Sequence, residues 1–382
     1  MLKYFTAKLN HNKNSHQNIL LCCRYKYRTF SSTTKNSKHV FEKISLLRSS
    51  MDNVVVGHTN VKNGILLALI AKQHVYIEGP PGSAKTLLAE TAANETNSKI
   101  FFSQMHRDTR INDLLGDEVL IRETDKKTGG EIIRQANKRG GIMDCDIAVL
   151  DDITRAPGEA LNVLFRILNE RRSNTNAISS SHSTELSSIP LRTCIATGNP
   201  ADNDKYYNES LDPASLDRFT IQLQHHGLVD RGMWAEAQKV LDLYDDNDNT
   251  VNRTSVNNVN DNHADNNFFR ACTDLHSSIS VSTNVKNGLL KFLQILVTDY
   301  NLNHNNSILS DRTFLVNAVK IIKANAMLNE RMECVLEDLY CLNLLTTFRV
   351  PMEVHEQVDN IIRQIIQQQQ EEEETNDNDD GT

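Results

Sequence analysis

The most constraining feature of the sequence is a glycine-rich stretch between a strand-forming segment and a helix-forming one. It consists of Gly79, Pro80, Pro81, Gly82, Ser83, Ala84, Lys85 and Thr86. Such a turn binds nucleotide phosphates, because its backbone N–H groups and the helix dipole both face the anion. We therefore predict that the stretch binds ATP, that Lys85 reaches the β- and γ-phosphates, and that the Thr86 hydroxyl holds Mg²⁺. The alternative is a Gly/Pro turn that merely precedes a helix.

Ala84 departs from the usual pattern of this turn, which has a glycine immediately before the lysine. Alanine lacks the freedom of glycine at positive φ. Since we expect Ala84 to belong already to the helix that follows, its methyl group should be tolerated.

Size and charge limit the possible folds and partners. With 382 residues, of which 39% are hydrophobic, the chain can bury one large core or two smaller ones. The net charge of −8 does not suggest a nucleic-acid binder, and no apolar run approaches the length of a membrane span. The cysteines are odd in number and lack a CxxC pair, which argues against a metal site or disulfide framework and favours a reducing compartment. They are Cys22, Cys23, Cys145, Cys194, Cys272, Cys334 and Cys341.

The first segment of the chain is basic and free of acids. Between Met1 and Phe41 there is no Asp or Glu, whereas Lys, Arg, Ser and Thr are frequent. This composition predicts a transit peptide over residues 1–36 and a location in the mitochondrial matrix. Arg28, three residues before Ser31, resembles the start of a matrix-processing site. The alternative is a disordered basic tail on a cytoplasmic protein.

A pair of carboxylates follows the apolar strand predicted over residues 147–150. We predict that Asp151 holds Mg²⁺ through water and that Asp152 orients and polarises the attacking water. Most comparable ATPases have Glu at the second position. Asp is one methylene shorter than Glu, and a misplacement by about 1 Å can cost about a hundredfold in rate. The pair therefore predicts ATP binding more firmly than fast hydrolysis. The alternative is an ordinary strand that ends in acids.

Two further polar residues follow predicted strands or turns. Asn199 stands just past the strand 191–197, where its amide can help to position the attacking water; the alternative is a plain turn residue before proline. Arg218 precedes the last core strand, where an arginine would reach the γ-phosphate of a neighbouring protomer. The alternative is a surface arginine paired with Asp217.

Periodicity and turn residues predict further elements. Residues 52–57 predict a strand-like segment that passes the adenine, and residues 119–121 and 131–133 predict a hairpin. Ser-rich residues 173–188 predict an exposed loop or hairpin, and Asn/Asp-rich residues 245–267 a disordered insertion. Helices are predicted at 231–244, from 268 onwards, from 310 to about 328, and over 338–345 as the last one of the lid. A possible helix from Val354 precedes the charged tail.

Four segments together resemble the MoxR family of AAA+ ATPases: 79–86, 151–157, 196–200 and 211–219. Ala84 is similar to the RavA branch of that family, and the resemblance covers about residues 45–350. It implies an α/β AAA+ P-loop NTPase core, with a parallel sheet between helices, and a C-terminal all-helical lid. It also implies a Walker A motif (79–86), a Walker B motif (Asp151 and Asp152), sensor 1 (Asn199), an arginine finger (Arg218) and sensor 2 (Arg312).

The predicted regions are a transit peptide or basic tail (1–36), the AAA+ core (37–227), the helical lid (228–352) and a Gln/Glu/Asp-rich tail (353–382). The resemblance implies Mg²⁺-dependent ATP hydrolysis that drives chaperone-like remodelling of protein complexes by a homo-oligomeric ring, by family habit a hexamer. It also implies a protein client and a von Willebrand factor A domain partner. Two alternatives stay open. One is an ATP-binding scaffold with little hydrolysis, and the other is a DNA-acting motor, against which the acidic charge argues.

Overall fold

A computed structural model gives the structure of the chain and describes residues 35–116, 118–124, 131–137, 140–174, 186–200, 211–229, 232–246, 267–303, 306–307, 309 and 311–379. The chain divides into two compact units, Met1–His39 and Val40–Thr382. Of the first unit only residues 35–39 are described, and they are helical. The predicted transit peptide and disordered insertion lie, apart from their last or first few residues, outside the described residues.

The described residues form an alternation of strands and helices followed by a mostly helical part. The strands are β1 (Val75–Glu78), β2 (Ile100–Gln104), β3 (Glu118–Thr124), β4 (Glu131–Asn137), β5 (Ile147–Asp151), β6 (Arg172–Asn174), β7 (Leu186–Ser188), β8 (Thr193–Gly198), β9 (Ile221–Gln224), β10 (Ser280–Val281) and β11 (Glu333–Cys334). The α-helices are α1 (Lys35–Val54), α2 (Thr59–Ala71), α3 (Lys85–Asn94), α4 (Ile111–Leu115), α5 (Gly158–Glu170), α6 (Pro213–Leu216), α7 (Trp234–Asp246), α8 (Asn267–Ser278), α9 (Thr283–Thr298), α10 (Asp311–Leu328), α11 (Asn343–Thr346), α12 (Met352–His355) and α13 (Val358–Asp379).

Five strands form a parallel sheet in the order β2-β5-β8-β1-β9. In the register of this sheet, Glu78 at the end of β1 lies opposite Gly198 of β8 and Gln224 of β9. Parallel strands are covered on both faces, so they appear in sequence as continuous apolar runs. The apolar strand predicted at 147–150 is accordingly confirmed as the buried β5.

The two faces of the sheet bury alternate residues of each strand. In β1, Val75 and Ile77 belong to a large core cluster that also contains side chains from α1, α2 and the C-terminal helices. Tyr76 faces the other way, into a second cluster with Leu164 of α5 and Phe219. The sheet is therefore held between helices on both sides, as the sequence predicts.

The C-terminal helices pack directly on the core: α10 contacts α2, and α13 contacts α9. Here the predicted lid boundary at residue 352 is wrong, and the possible helix predicted from Val354 is confirmed as α13. Helix α13 buries Val358, Ile361, Ile362, Ile365 and Ile366. Their three- and four-residue spacing is the pattern of a packed helix face, which the Gln/Glu run that follows obscured. The helix predicted over 338–345 is accordingly not the last one.

A second correction concerns residues 52–57, which do not form a strand-like segment. Helix α1 instead continues to Val54. The buried residues Leu47, Met51 and Val55 are spaced four apart, as on one face of a helix. The two predicted hairpins are confirmed as antiparallel pairs, β3 with β4 and β6 with β7. Within the described residues, none of the helices combines the length and the apolar character that a membrane crossing requires.

Candidate active site

The phosphate loop, residues 79–84, connects the end of β1 to the first residue of α3. Its first residue has to be glycine, because a Cβ atom on Gly79 would lie 2.4 Å from the carbonyl oxygen of His225. The Gly79 N–H donates to the Gly198 carbonyl at 3.1 Å, which joins the loop to the end of β8. Gly82 adopts φ +76°, a conformation that glycine takes without strain. The loop is thus shaped by close backbone contacts on both sides.

Ala84 precedes the helix as its N-terminal cap, so the expectation that it already belongs to the helix is wrong. The residue has φ 63° and ψ 21°, in the left-handed region, and immediately precedes α3. An L-residue pays roughly 1–2 kcal/mol for this conformation. The position requires a positive φ, which explains why glycine is usual there. In this chain Ala84 adopts the same conformation at the cost of backbone strain.

The Lys85 ammonium lies inside the loop. Its Nζ donates to the carbonyl oxygens of Gly79 and Pro80, both at 2.7 Å, and to Oδ1 of Asn199 at 3.2 Å. Burial lowers the pKa of Lys85, and the nearby carboxylates of Asp152 and Asp151 oppose this shift. An anion bound in the loop would compete with these acceptors for the ammonium group.

A hydroxyl–carboxylate cluster lies beside the lysine. Oδ1 of Asp151 accepts hydrogen bonds from the Thr86 hydroxyl at 2.6 Å and from the Thr197 hydroxyl at 2.5 Å. Thr197 is fully buried, and its oxygen also accepts from the backbone N–H of Asp152 at 3.2 Å. Hard oxygen ligands of this kind suit Mg²⁺, so Thr86 and Asp151 fit the metal predicted for them.

The sequence interpretation missed Thr197, although it included this residue in a motif segment. The available signal was a hydroxyl near the end of a buried strand in a parallel sheet, where polar side chains from neighbouring strands meet. Thr197 ties the two acidic residues together, one through its side chain and one through its backbone.

Asp152 is held by two partners and adopts an unusual backbone conformation. Its Oδ1 accepts from the Asn199 amide at 2.8 Å, and its Oδ2 lies 3.5 Å from the Arg155 guanidinium. Its φ of 54° and ψ of 44° are left-handed, a region in which Asp and Asn are enriched several-fold. This backbone provides a physical reason for Asp where comparable ATPases have Glu.

A stacked pair of histidines lies next to the loop. The rings of His58 and His225 are 4.0 Å apart between centroids, and His225 is buried. Burial, with a smaller contribution from His58, lowers the pKa of His225 to about 4. The ring that adjoins the phosphate loop is therefore neutral at physiological pH.

The structure brings together Lys85, Thr86, Asp151, Asp152 and Asn199, but it does not bring the two predicted arginines to them. Arg218 lies on the turn between α6 and β9, and Arg312 is the second residue of α10. Both side chains are exposed, and neither forms a hydrogen bond or ion pair with another described residue. The alternative of a surface pair between Arg218 and Asp217 is wrong, since Asp217 is bonded to Arg349 instead.

Comparisons with known proteins identify two domains in the chain. An AAA domain of the dynein-related subfamily matches residues 74–219, and an AAA lid domain matches residues 285–362. Chaperone MoxR1 of Mycobacterium tuberculosis is 27% identical over 170 residues, which are 44% of this chain and 41% of that protein. An uncharacterised protein of Methanocaldococcus jannaschii is 23% identical over 303 residues, 79% of this chain and 70% of that one.

A solved structure resembles the whole fold. It is that of a candidate ATPase from Cytophaga hutchinsonii, with a TM-score of 0.60 and 19% identity, covering 87% of this chain and 96% of that one. At this identity the likeness shows the fold alone. The chain spans only 41% of the length of the MoxR1 relative.

Proposed function

Because the chain is an AAA+ protein of the MoxR family, we propose that it binds ATP with Mg²⁺ and hydrolyses it to drive chaperone-like remodelling of protein complexes. The name of the MoxR1 relative supports the chaperone part of this proposal. The RavA branch suggested by Ala84 stays a prediction.

The observation that carries the proposal is the convergence of a lysine, two carboxylates, two hydroxyls and an amide at the carboxyl ends of β1, β5 and β8. In a parallel α/β sheet this edge is where ligands bind. The backbone of the loop and Lys85 would bind the phosphates, and Thr86 and Asp151 would hold Mg²⁺. Bound Mg²⁺ would neutralise charge on the phosphate oxygens. Asp152 would then accept a proton from the attacking water, and Asn199 would orient that water.

The placement of Arg218 supports an oligomeric ring as part of this proposal. Within its own chain the side chain is exposed and engages none of the site residues described above. We propose that it completes the site of a neighbouring copy, where a guanidinium stabilises charge in the transition state. Arg312, at the start of α10, would act from the lid of the same chain. Six copies are the family's habit and our proposal for the ring.

Nucleotide binding and hydrolysis are tested by titration with ATP in the presence and absence of Mg²⁺ and by steady-state ATPase assays. Lys85→Ala should lower ATP affinity at least about tenfold, because a charge-assisted bond to phosphate contributes about 1.5–3 kcal/mol. The matched control is Lys99→Ala, since Lys99 pairs with Asp144 on the exposed surface. Equal ATP affinity in the wild type and Lys85→Ala would contradict the assigned site.

An ATP-binding scaffold is the second candidate function, and the bonding of Asp152 favours it. Each carboxylate oxygen already has a partner, Asn199 at 2.8 Å and Arg155 at 3.5 Å, so an attacking water would have to share the carboxylate with them. ATPase assays of the wild type and of Asp152→Glu separate the two functions. A wild type without ATPase activity that gains it on substitution supports the scaffold, and a wild type that hydrolyses ATP supports the enzyme. Because Glu is less suited to left-handed φ, the thermal stability of the variant must be measured alongside its activity.

The client and the compartment are further proposals. A protein client and a von Willebrand factor A domain partner can be sought by affinity capture with Asp152→Asn, which would retain bound ATP. The basic composition of residues 1–36 supports import into the mitochondrial matrix. N-terminal sequencing of the mature protein decides this point: a start at Ser31 supports processing, and an intact Met1 contradicts it.

A further inference from the structure

We propose that Arg349 is a positioning residue for Arg218: it bonds the Asp217 carboxylate and the backbone carbonyls of the two residues after Arg218, and so fixes where the Arg218 side chain can reach a neighbouring subunit. The proposal rests on the ring and the shared site proposed above. It assigns a role to a residue that lies outside the four motif segments and outside the nucleotide-binding cluster.

The first observation is the bonding of the Arg349 guanidinium, which is buried with only 5% of the residue exposed. Its Nη2 donates to the carbonyl of Phe219 at 2.8 Å, and its Nη1 donates to the carbonyl of Thr220 at 3.0 Å. Its Nε donates to Oδ1 of Asp217 at 3.3 Å. Arg349 thus bonds the residue before Arg218 and the two residues after it.

The second observation is that the backbone at Arg218 is fixed while its side chain points outward. The Arg218 N–H donates to the carbonyl of Ser215 at 3.2 Å. The next residue, Phe219, is fully buried, and its ring lies 5.7 Å from that of Tyr76 and 6.2 Å from that of Phe165. An exposed cation on a rigid backbone is what a group acting on another subunit requires, because small misplacements cost large factors in rate.

The third observation is that Arg349 itself belongs to the C-terminal helical part, within the residues 285–362 that match an AAA lid domain. Nη1 of Arg349 donates to the carbonyl of Leu345 at 2.7 Å, in the segment that includes α11. A small cavity next to Arg349 is lined by Thr313 and Asn317, both on the helix that begins with Asp311 and Arg312. The Arg349 side chain therefore bonds residues 217, 219 and 220 around Arg218, and it lies beside the helix that carries the predicted sensor-2 residue, Arg312.

The chemistry of arginine explains why this residue type stands here. A guanidinium carries five N–H donors in a fixed planar fork, so it can bond several backbone carbonyls and a carboxylate at once. A lysine at this position has a single nitrogen and cannot span the carbonyls of Phe219, Thr220 and Leu345 in the same way. The bonds to these carbonyls couple any displacement of the lid to the turn that carries Arg218.

The test is a mixing experiment in which the two halves of a shared site come from different subunits. Arg218→Ala subunits can bind ATP but lack the finger, whereas Lys85→Ala subunits lack their own ATP site but still supply Arg218. ATPase activity in the mixture then arises where a Lys85→Ala subunit provides the finger. Adding Arg349→Met to the Lys85→Ala subunit changes only the subunit that provides the finger.

We expect Lys85→Ala to restore activity to Arg218→Ala, and the double variant Lys85→Ala/Arg349→Met to restore at least about tenfold less, as expected for a displaced catalytic group. The matched control is Lys85→Ala/Arg171→Met. Arg171 is half-buried and donates to the carbonyl of Lys72 at 2.6 Å. Among the described residues, it forms no hydrogen bond or ion pair with residues 217–220. This control should restore activity fully.

Co-assembly of each pair is measured by capture through a tag on one variant. If the Arg349→Met subunit does not co-assemble, Arg349→Lys, which retains the charge without the fork, takes its place in the same mixture. Full co-assembly with lost rescue supports the inference. Rescue equal to that by Lys85→Ala alone overturns it. Absence of rescue by Lys85→Ala itself would instead refute the shared site, so the two failures are distinguishable.

Discussion

Replacing Ala84 by glycine tests the strain that the phosphate loop stores. The residue has φ 63° and ψ 21° immediately before α3, and its carbonyl accepts the first helical hydrogen bond, from Leu88 at 3.0 Å. At most helical positions an exchange of alanine for glycine destabilises a protein. At this position the backbone already has the conformation that glycine prefers, so we expect the opposite sign or no loss.

Three terms set the magnitude. Relief of the left-handed conformation contributes roughly 1–2 kcal/mol to the free energy of unfolding. The larger freedom of glycine in the unfolded chain takes away about 0.4–1 kcal/mol. The Ala84 methyl group is partly buried against the main core, so its loss costs a fraction of the roughly 0.8 kcal/mol assigned to a fully buried methylene. The sum lies between about −0.5 and about +1.5 kcal/mol and is centred on a small gain.

The assay is urea unfolding, with Ala237→Gly as the matched control. Ala237 lies inside α7 and is only partly buried, so its exchange should cost about 1 kcal/mol through lost helix propensity. The informative quantity is the difference between the two variants, since both carry the same entropy change in the unfolded chain. If Ala84→Gly lowered the free energy of unfolding as much as Ala237→Gly does, the left-handed conformation of Ala84 would be refuted. The residue would then behave as an ordinary helical alanine.

Three other results follow from the structure. Thr197→Val should weaken Mg²⁺-dependent ATP binding about tenfold, because Asp151 loses a charge-assisted bond of about 1.5–3 kcal/mol; ATP titration at several Mg²⁺ concentrations measures it, and unchanged affinity contradicts it. Gly79→Ala should lower the urea midpoint and ATP affinity together, since the new methyl carbon would lie 2.4 Å from the His225 carbonyl oxygen; wild-type behaviour would be inconsistent with that contact. Burial lowers the pKa of His74 from 6.5 to about 3, so the unfolded chain binds the proton more readily and stability falls as pH drops below 6.5 towards 3. The slope should approach about 1.4 kcal/mol per pH unit for this group, and urea unfolding at pH 7 and pH 5.5 should show a shallower slope for His74→Gln.

The parts of the fold that sequence reasoning predicts are those set by local pattern. The strand–loop–helix unit around Lys85 is recognisable because apolar runs, glycines and helix formers follow each other within about twenty residues. The carboxylates at the end of β5 are predictable for the same reason. Their convergence with Asn199 follows from parallel strands, whose carboxyl ends share one edge of the sheet.

The parts that sequence reasoning missed depend on backbone conformation or on long-range contact. The left-handed φ values of Ala84 and Asp152 have no signature beyond the residue type itself, and the first was assigned wrongly for that reason. Arg349 bonds residues about 130 positions earlier in the chain, and no spacing pattern predicts such a pairing. In α13, composition misled the interpretation, because a Gln/Glu run hides the apolar spacing that precedes it.

The hydrogen bonds of the site make ATP binding and the freedom of the catalytic carboxylate interdependent. Lys85 has three donors, and all three are occupied, by two carbonyls of its own loop and by Oδ1 of Asn199. A phosphate that binds the ammonium must therefore displace at least one of these acceptors. The Asn199 amide contacts Lys85 through its oxygen and Asp152 through its nitrogen. If the bond between Lys85 and Asn199 is the one displaced, the Asn199 amide loses one of its two bonds and can turn away from Asp152. On this reasoning, a bound phosphate that releases Asn199 from Lys85 favours the enzyme over the scaffold.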